Sequence, residues 1–202
     1  MTLWLVRHAQ PLVAAGICYG QLDLRADVDH TQACALKLAA ALPARLRIFC
    51  SPLQRCEQLK ACLLALRPDL TSKADARLQE MNFGCWEGRA WAAISPLELQ
   101  AWTDDFAHYK PGSVGDSDID RSVDVGESVS SFMARVASAF DELRQDADTL
   151  WITHAGVIRA ASLIAGGTRQ LDDAGQWPLA APAYGQWCKL PLQPGNIDGT
   201  QP

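Results

Sequence analysis

Short apolar stretches of strand length run straight into charged or polar residues and then into helical patterns, again and again along this chain. Leu3–Val6 ends abruptly at Arg7-His8, Arg47–Cys50 gives way to Ser51-Pro52, and Leu150-Trp151-Ile152 stops at Thr153-His154. Each reads as a short buried strand. The Ala/Leu-rich residues 31–42, closed by Pro43, read as a helix. Ser51-Pro52-Leu53-Gln54 opens another, with Ser51 as N-cap, Pro52 at the first helical position and Gln54 completing a capping box. Its buried stripe is Leu53, Cys56, Leu63 and Leu66, and Arg55 lies off that stripe in the first turn. Residues 96–109 form a helical segment ended by Pro111-Gly112, and Val129, Phe132, Val136, Phe140 and Leu143 follow the helical period. A helix rich in Ala, Ile and Leu follows Gly156, and Leu70–Ala76 and Tyr184–Leu190 read as further strands. Strands alternating with helices specify an α/β fold with a largely parallel sheet.

Composition narrows the class. A chain of 202 residues is expected to form one domain, with a lid insertion at about 89–126. Its longest apolar patch, Ala61 to Leu66, is far short of the ~18 residues of a membrane span. Arg7 and His8 interrupt the first apolar run before the core of a secretory signal can form. The net charge of −5 and the absence of a Lys/Arg run argue against a nucleic-acid partner. Arginine supplies 13 of the 18 positive charges, so an anionic substrate has to be held by a local cluster and not by the field of the whole molecule. The seven cysteines are odd in number and show no C-x-x-C spacing, which points to buried small hydrophobes in a reducing cytosol.

Chemistry concentrates at three of the junctions. Arg7-His8, Ser51…Arg55 and His154 each follow an apolar strand, and two of these sites open a helix. In open α/β sheets ligands bind beyond the carboxyl ends of the strands, where helix N-termini present free N–H groups to anions. Two histidines and two arginines gathered there suit a phosphoryl group. Arginines neutralise its oxygens, and a neutral imidazole can attack phosphorus. His30 and His108, at the ends of helical segments, read as ordinary satisfied polar residues, and Glu80 by itself reads as a solvated carboxylate.

The same residues resemble a known family. Leu5-Val6-Arg7-His8-Ala9 is similar to the R-H-G signature of the histidine phosphatase (phosphoglycerate mutase-like) superfamily, and Ser51-Pro52-Leu53-Gln54-Arg55-Cys56 to its S-x-L-x-R-[AC] segment. Leu78 through Gly88 resembles its L-x-E-x-x-F-G-x-W-E-G stretch, with Gly126-Glu127-Ser128 and Thr153-His154-Ala155-Gly156 following in order. The resemblance implies a three-layer sandwich, a mostly parallel central sheet flanked by helices. It also implies a phosphomonoesterase working through phosphohistidine without metal or cofactor, on a small-molecule phosphate ester. Under it His8 is the nucleophile, Arg7, Arg55 and His154 form the phosphate pocket, and Glu80 protonates the leaving alkoxide. Gln10, Tyr19, Gly20, Gln21 and Ala155 are then the substrate contacts. The stretch Gly16-Ile17-Cys18-Tyr19-Gly20-Gln21 looks most like that of α-ribazole phosphatases, which act in cobalamin nucleotide-loop assembly. A phosphoglycerate mutase and a weakly catalytic binding module on the same scaffold are the alternatives.

The chain departs from the family pattern in three places. Ala9 replaces the usual Gly, and Ala14 stands where an Asn commonly contacts phosphate, so that Gln10 or the backbone of Gly20 and Gln21 would take over. The stretch Pro111–Gly126 is longer than the corresponding loop. Within it Asp116, Asp118, Asp120, Asp124 and Glu127 match acidic positions of a calcium loop, but Arg121 stands where the sharp turn needs Gly, so it reads as a solvated acidic loop. Trp86, Trp91 and Trp102 are candidates to line a pocket for an aromatic base.

Overall fold

Five strands make one sheet in the order β3-β2-β4-β1-β5: β1 (Thr2–Arg7), β2 (Arg47–Cys50), β3 (Ser72–Ala74), β4 (Thr149–Thr153) and β5 (Trp187–Pro191). All neighbours are parallel except β5, which runs antiparallel to β1 along one edge. Helices α1 (Val28–Ala41), α2 (Gln54–Leu66), α3 (Pro96–Asp104), α4 (Val129–Asp141) and α5 (Ala155–Ala165) complete the α/β architecture. The computed structural model describes residues 1–112, 125–144 and 146–192. Most of the acidic stretch, Asp116 to Asp124, lies outside the described residues. Among those described, no helix is long and apolar enough to cross a membrane.

Side-chain alternation along the central strands divides the core in two. Leu3, Leu5 and Trp151 face one cluster with α4 and α5, while Trp4, Val6, Leu150 and Ile152 face another with α1 and α2. A strand whose two faces are both covered has no polar side to show, which is why these runs are apolar throughout. Cys34, Cys50 and Cys56 lie buried in the second cluster as small apolar groups.

Three helix boundaries differ from the sequence expectation. Helix α1 starts at Val28, not 31, because Asp27 Oδ1 accepts the His30 N–H at 2.7 Å and adds a turn before the Ala/Leu-rich stretch. Helix α2 starts at Gln54, and Ser51 is not its N-cap. The acceptor comes instead from outside the helix, since Asp23 Oδ1 takes the Gln54 N–H at 2.7 Å. The buried face of α2 also differs: Arg55 and Leu59 are fully buried, whereas Leu66 is 43% exposed. Helix α3 is capped by Ser95 and closes at Asp104, short of residue 109.

Candidate active site

Parallel pairing brings the carboxyl ends of β1, β2 and β4 to one edge of the sheet. Arg7 is in register with Thr153, and Cys50 with Ile152. The ladder continues past the strands, since the His8 N–H donates to Thr153 O at 2.9 Å and the Ser51 N–H to Ile152 O at 3.0 Å. His8, Ser51 and His154 therefore leave the sheet side by side on a fixed backbone.

His8 and His154 are both buried, with ring centroids 5.1 Å apart. His8 Nδ1 lies 2.7 Å from its neighbour's carbonyl, Ala9 O. A carbonyl only accepts, so Nδ1 carries the proton and Nε2 keeps its lone pair. Burial holds the His8 pKa well below 6.5, and the Arg55 guanidinium depresses it further. His154 is lowered for the same reasons, burial first, then Arg55 and His8. Its Nε2 sits 2.8 Å from Ser51 Oγ and 3.5 Å from Cys56 Sγ, and the Leu53 N–H donates to the same serine oxygen at 3.4 Å. His154 Nδ1 is buried and has no hydrogen-bond partner among the described residues.

Both rings stay neutral in the folded protein but titrate near 6.5 once unfolded. Below that pH the unfolded chain binds more protons than the native one, so stability is present above about 6.5 and declines as the pH falls. Urea unfolding should give a smaller unfolding free energy at about pH 5.5 than at about pH 7.5, with the difference reduced in His154→Asn. An unaltered difference in that variant would assign the loss to other groups.

The arginines are held by carbonyls. Arg55 donates to Gly20 O at 2.7 Å and Leu22 O at 2.9 Å, and Arg7 donates to Pro182 O at 3.1 Å. Neither forms an ion pair with a carboxylate among the described residues. Leaving a buried guanidinium without a counter-charge costs several kcal/mol, and such arrangements cluster where an anion is to be bound. Each cation also meets a tyrosine. Arg7 Cζ lies 3.8 Å from the Tyr184 ring centroid and Arg55 Cζ 5.6 Å from that of Tyr19, while the two hydroxyls meet at 2.5 Å. Tyr184 also packs beside His8, with ring centroids 5.5 Å apart.

Glu80 reaches the site from the loop after β3. Its Oε2 accepts the Gly156 N–H at 3.0 Å and its Oε1 the Met81 N–H at 3.1 Å. Gly156 is in the first turn of α5, where N–H groups have no helical partner. A Cβ there would fall on Glu80 Oε1, so a side chain at 156 would push the carboxylate out of this position. Arg135 braces the same loop. It donates to the carbonyls of Arg77, Gln79 and Glu80 at 2.8, 2.7 and 2.8 Å and pairs with both oxygens of Glu127.

The remaining substrate contacts expected from sequence are spread around this centre. Tyr19 and Gly20 lie against Arg55, and a Cβ on Gly20 would strike Met81 O. Gln21 is committed elsewhere: its N–H donates to Glu87 Oε1 at 2.7 Å and its side-chain amide to Glu80 O at 3.1 Å. Glu87 also accepts the N–H groups of Leu22 and Phe83, and of the replacements expected for the missing Asn it takes up the Gln21 N–H. Gln10 is exposed, and its N–H donates to His30 Nδ1 at 2.9 Å. Ala155 is buried directly after His154 as the first residue of α5. Of the three tryptophans, Trp102 lines a cleft. Trp86 is fully buried and donates to Glu98, and Trp91 packs against Trp102 and Phe83.

Sequence reasoning missed Ser51 as the partner of His154, Tyr184 as the residue between Arg7 and His8, and Arg135 with Glu127 as the brace of Glu80. Glu127 was visible inside the Gly126-Glu127-Ser128 landmark. Tyr184 carried no local signal beyond opening the last strand.

The chain matches the histidine phosphatase superfamily (branch 1) over residues 3–196. It belongs to that superfamily. This histidine phosphatase is similar in structure to TTHB049 from Thermus thermophilus, at 28% identity and a TM-score of 0.63, covering 94% of this chain and 93% of that one. It is also similar to a mycobacterial glucosyl-3-phosphoglycerate phosphatase, at 25% identity and a TM-score of 0.72, covering 94% and 89%. A protein described as mycobacterial hydrolase 2 shares 25% identity and a TM-score of 0.72, over 93% and 80%. None of the curated proteins matches the chain significantly.

Proposed function

We propose that this histidine phosphatase hydrolyses a small phosphate monoester through a phosphohistidine, and that the ester is α-ribazole 5′-phosphate or a close analogue. The observation that carries the reading is the pairing of two neutral, buried imidazoles with two arginines that have no carboxylate partner among the described residues. Such a pocket is electrostatically incomplete until a dianion enters it. His8 Nε2 attacks phosphorus, the P–N bond forms, and the ester P–O bond breaks. The Nδ1–H bond to Ala9 O stabilises the positive charge that develops on the ring. Arg7 and Arg55 hold the phosphoryl oxygens, and His154 Nδ1–H supplies a further donor. Glu80 gives its proton to the departing alkoxide. It then takes one from the water that attacks phosphohistidine, releasing phosphate and restoring His8.

The choice of ester rests on the resemblance of Gly16 through Gln21 to the α-ribazole phosphatases. Rates on α-ribazole 5′-phosphate, sugar phosphates, nucleotides and phosphoglycerate derivatives, measured in EDTA, test it. The expected result is the largest kcat/KM for α-ribazole 5′-phosphate, with release of inorganic phosphate. A faster sugar or glycerate ester would replace the substrate, and isomer formation without phosphate release would replace the reaction class.

A further inference from the structure

Beside the candidate phosphate site lies a cleft of about 120 Å³, half of whose lining residues are aromatic. Phe83, Trp102, Phe106, Phe132 and Trp177 line it, and Glu80, Gly156 and Arg159 form its polar end. The rings belong to separate parts of the chain: the loop after β3, α3 and the turn following it, α4, and the connector between α5 and β5. They meet edge-to-face or tilted, with Trp102 and Phe106 centroids 5.7 Å apart, Phe106 and Trp177 6.4 Å, and Phe132 and Trp177 6.2 Å. Phe106 and Phe132 are buried, whereas Phe83, Trp102 and Trp177 remain half-exposed. Aromatic rings otherwise close over one another in a core, and ones left open next to ionisable groups mark a ligand site.

The cleft adjoins the candidate phosphate site at Glu80 and Gly156, because the carboxylate that accepts the Gly156 N–H, two residues past His154, forms part of the cleft wall. Arg159 stands one turn along α5 from Ala155. Burial lowers its pKa most, with Glu80 attracting and Arg7 repelling its charge. Its Nη2 donates to Leu179 O at 2.9 Å, which ties the connector carrying Trp177 to α5. A group occupying this cleft lies against Glu80, the proposed proton donor.

From this adjacency we infer that the cleft is the leaving-group subsite and that it accepts one planar aromatic ring carried by the ester's alcohol. Size supports a single ring, since an apolar cavity of roughly 150 Å³ holds a benzene molecule. Chemistry supports an aromatic one. Offset and edge-to-face contacts with five surrounding rings favour a flat π-system, and the guanidinium of Arg159 can stack on its face. A sugar hydroxyl placed among the rings, away from Glu80 and Arg159, would lose its water without gaining a partner.

The inference rests on the reading of His8 and its neighbours as a phosphate-ester site, so its test separates the two. Non-hydrolysable phenylalkyl phosphonates with one to four methylenes, and the matching alkyl phosphonates without the ring, are titrated into wild type, Trp177→Leu and Phe106→Leu by calorimetry. Turnover of p-nitrophenyl phosphate is followed in parallel. At least one phenyl member should bind wild type tenfold or more tightly than its alkyl counterpart. That ratio should fall below threefold in both variants. Turnover together with phosphonate binding but no phenyl advantage, or an advantage that survives both substitutions, overturns the subsite and leaves the phosphatase reading standing. No turnover and no binding of either series overturns both.

Discussion

His8→Ala should lower kcat/KM for every phosphate ester by at least ~10⁴-fold, the scale on which loss of a nucleophile acts. The expectation follows from the ring's surroundings. The Nδ1–H is held by Ala9 O, burial and Arg55 keep the ring neutral, and only Nε2 is left to attack. The variant should also lose the acid-labile, base-stable label left on the wild type by a radioactive phosphate ester. His8→Asn, closer in volume, should behave alike and guards against an effect of packing alone. Label retained at the wild-type level in either variant would remove His8 from the reaction.

For Glu80→Gln the expected loss depends on the substrate. An alkoxide is too basic to depart without a proton, whereas nitrophenolate leaves with little help. The variant should therefore slow an alkyl phosphate by ~10²–10⁴-fold, the range for general acid catalysis, and p-nitrophenyl phosphate far less. Glutamine preserves the shape of the side chain and one of its two oxygens, so either Met81 N–H or Gly156 N–H keeps an acceptor. A carboxylate that only shaped the pocket would give similar losses for both esters. Equal losses, measured as kcat/KM in wild type and variant, would falsify the acid role.

Much of the fold was legible because its strands are buried on both faces. Arg47–Cys50 has the same bounds in sequence and structure, and Leu3–Val6 and Leu150–Ile152 fall inside β1 and β4. Residues that follow strands were also easy to place. Arg7, His8 and His154 converge because parallel strands end at one edge. Errors arose wherever a long-range partner overrode a local pattern. Ser51 looks like an N-cap by spacing, yet Asp23, 31 residues away, takes the Gln54 N–H, and the serine hydroxyl goes to His154. By helical periodicity Arg55 lies off the buried stripe of α2. It is buried because a loop packed over α2 offers the carbonyls of Gly20 and Leu22 to its two terminal nitrogens. Trp177 lies on an irregular connector where neither period of two nor period of 3.6 offers any signal, and Tyr184, read as opening the last strand, lies on that connector ahead of β5. The arginine–tyrosine contacts and one wall of the cleft were therefore invisible until the chain was folded.

The strand order has a consequence for how the protein is made. Strand β1 carries Arg7 and leads into His8, and it precedes the other described strands, yet among the described residues its only sheet neighbours are β4 and β5. Its earliest partner, Thr149 pairing with Leu3, follows Arg7 by about 140 residues, roughly 7–30 s of synthesis at ~5–20 residues per second. Over that interval β2, β3 and the helix between them can already pair, while Leu3-Trp4-Leu5-Val6 has no sheet to join. The growing chain thus carries a naked apolar segment through that interval, the kind of sequence that holdase chaperones grip. His8, whose N–H bonds Thr153 O, gains its scaffold only when β4 arrives.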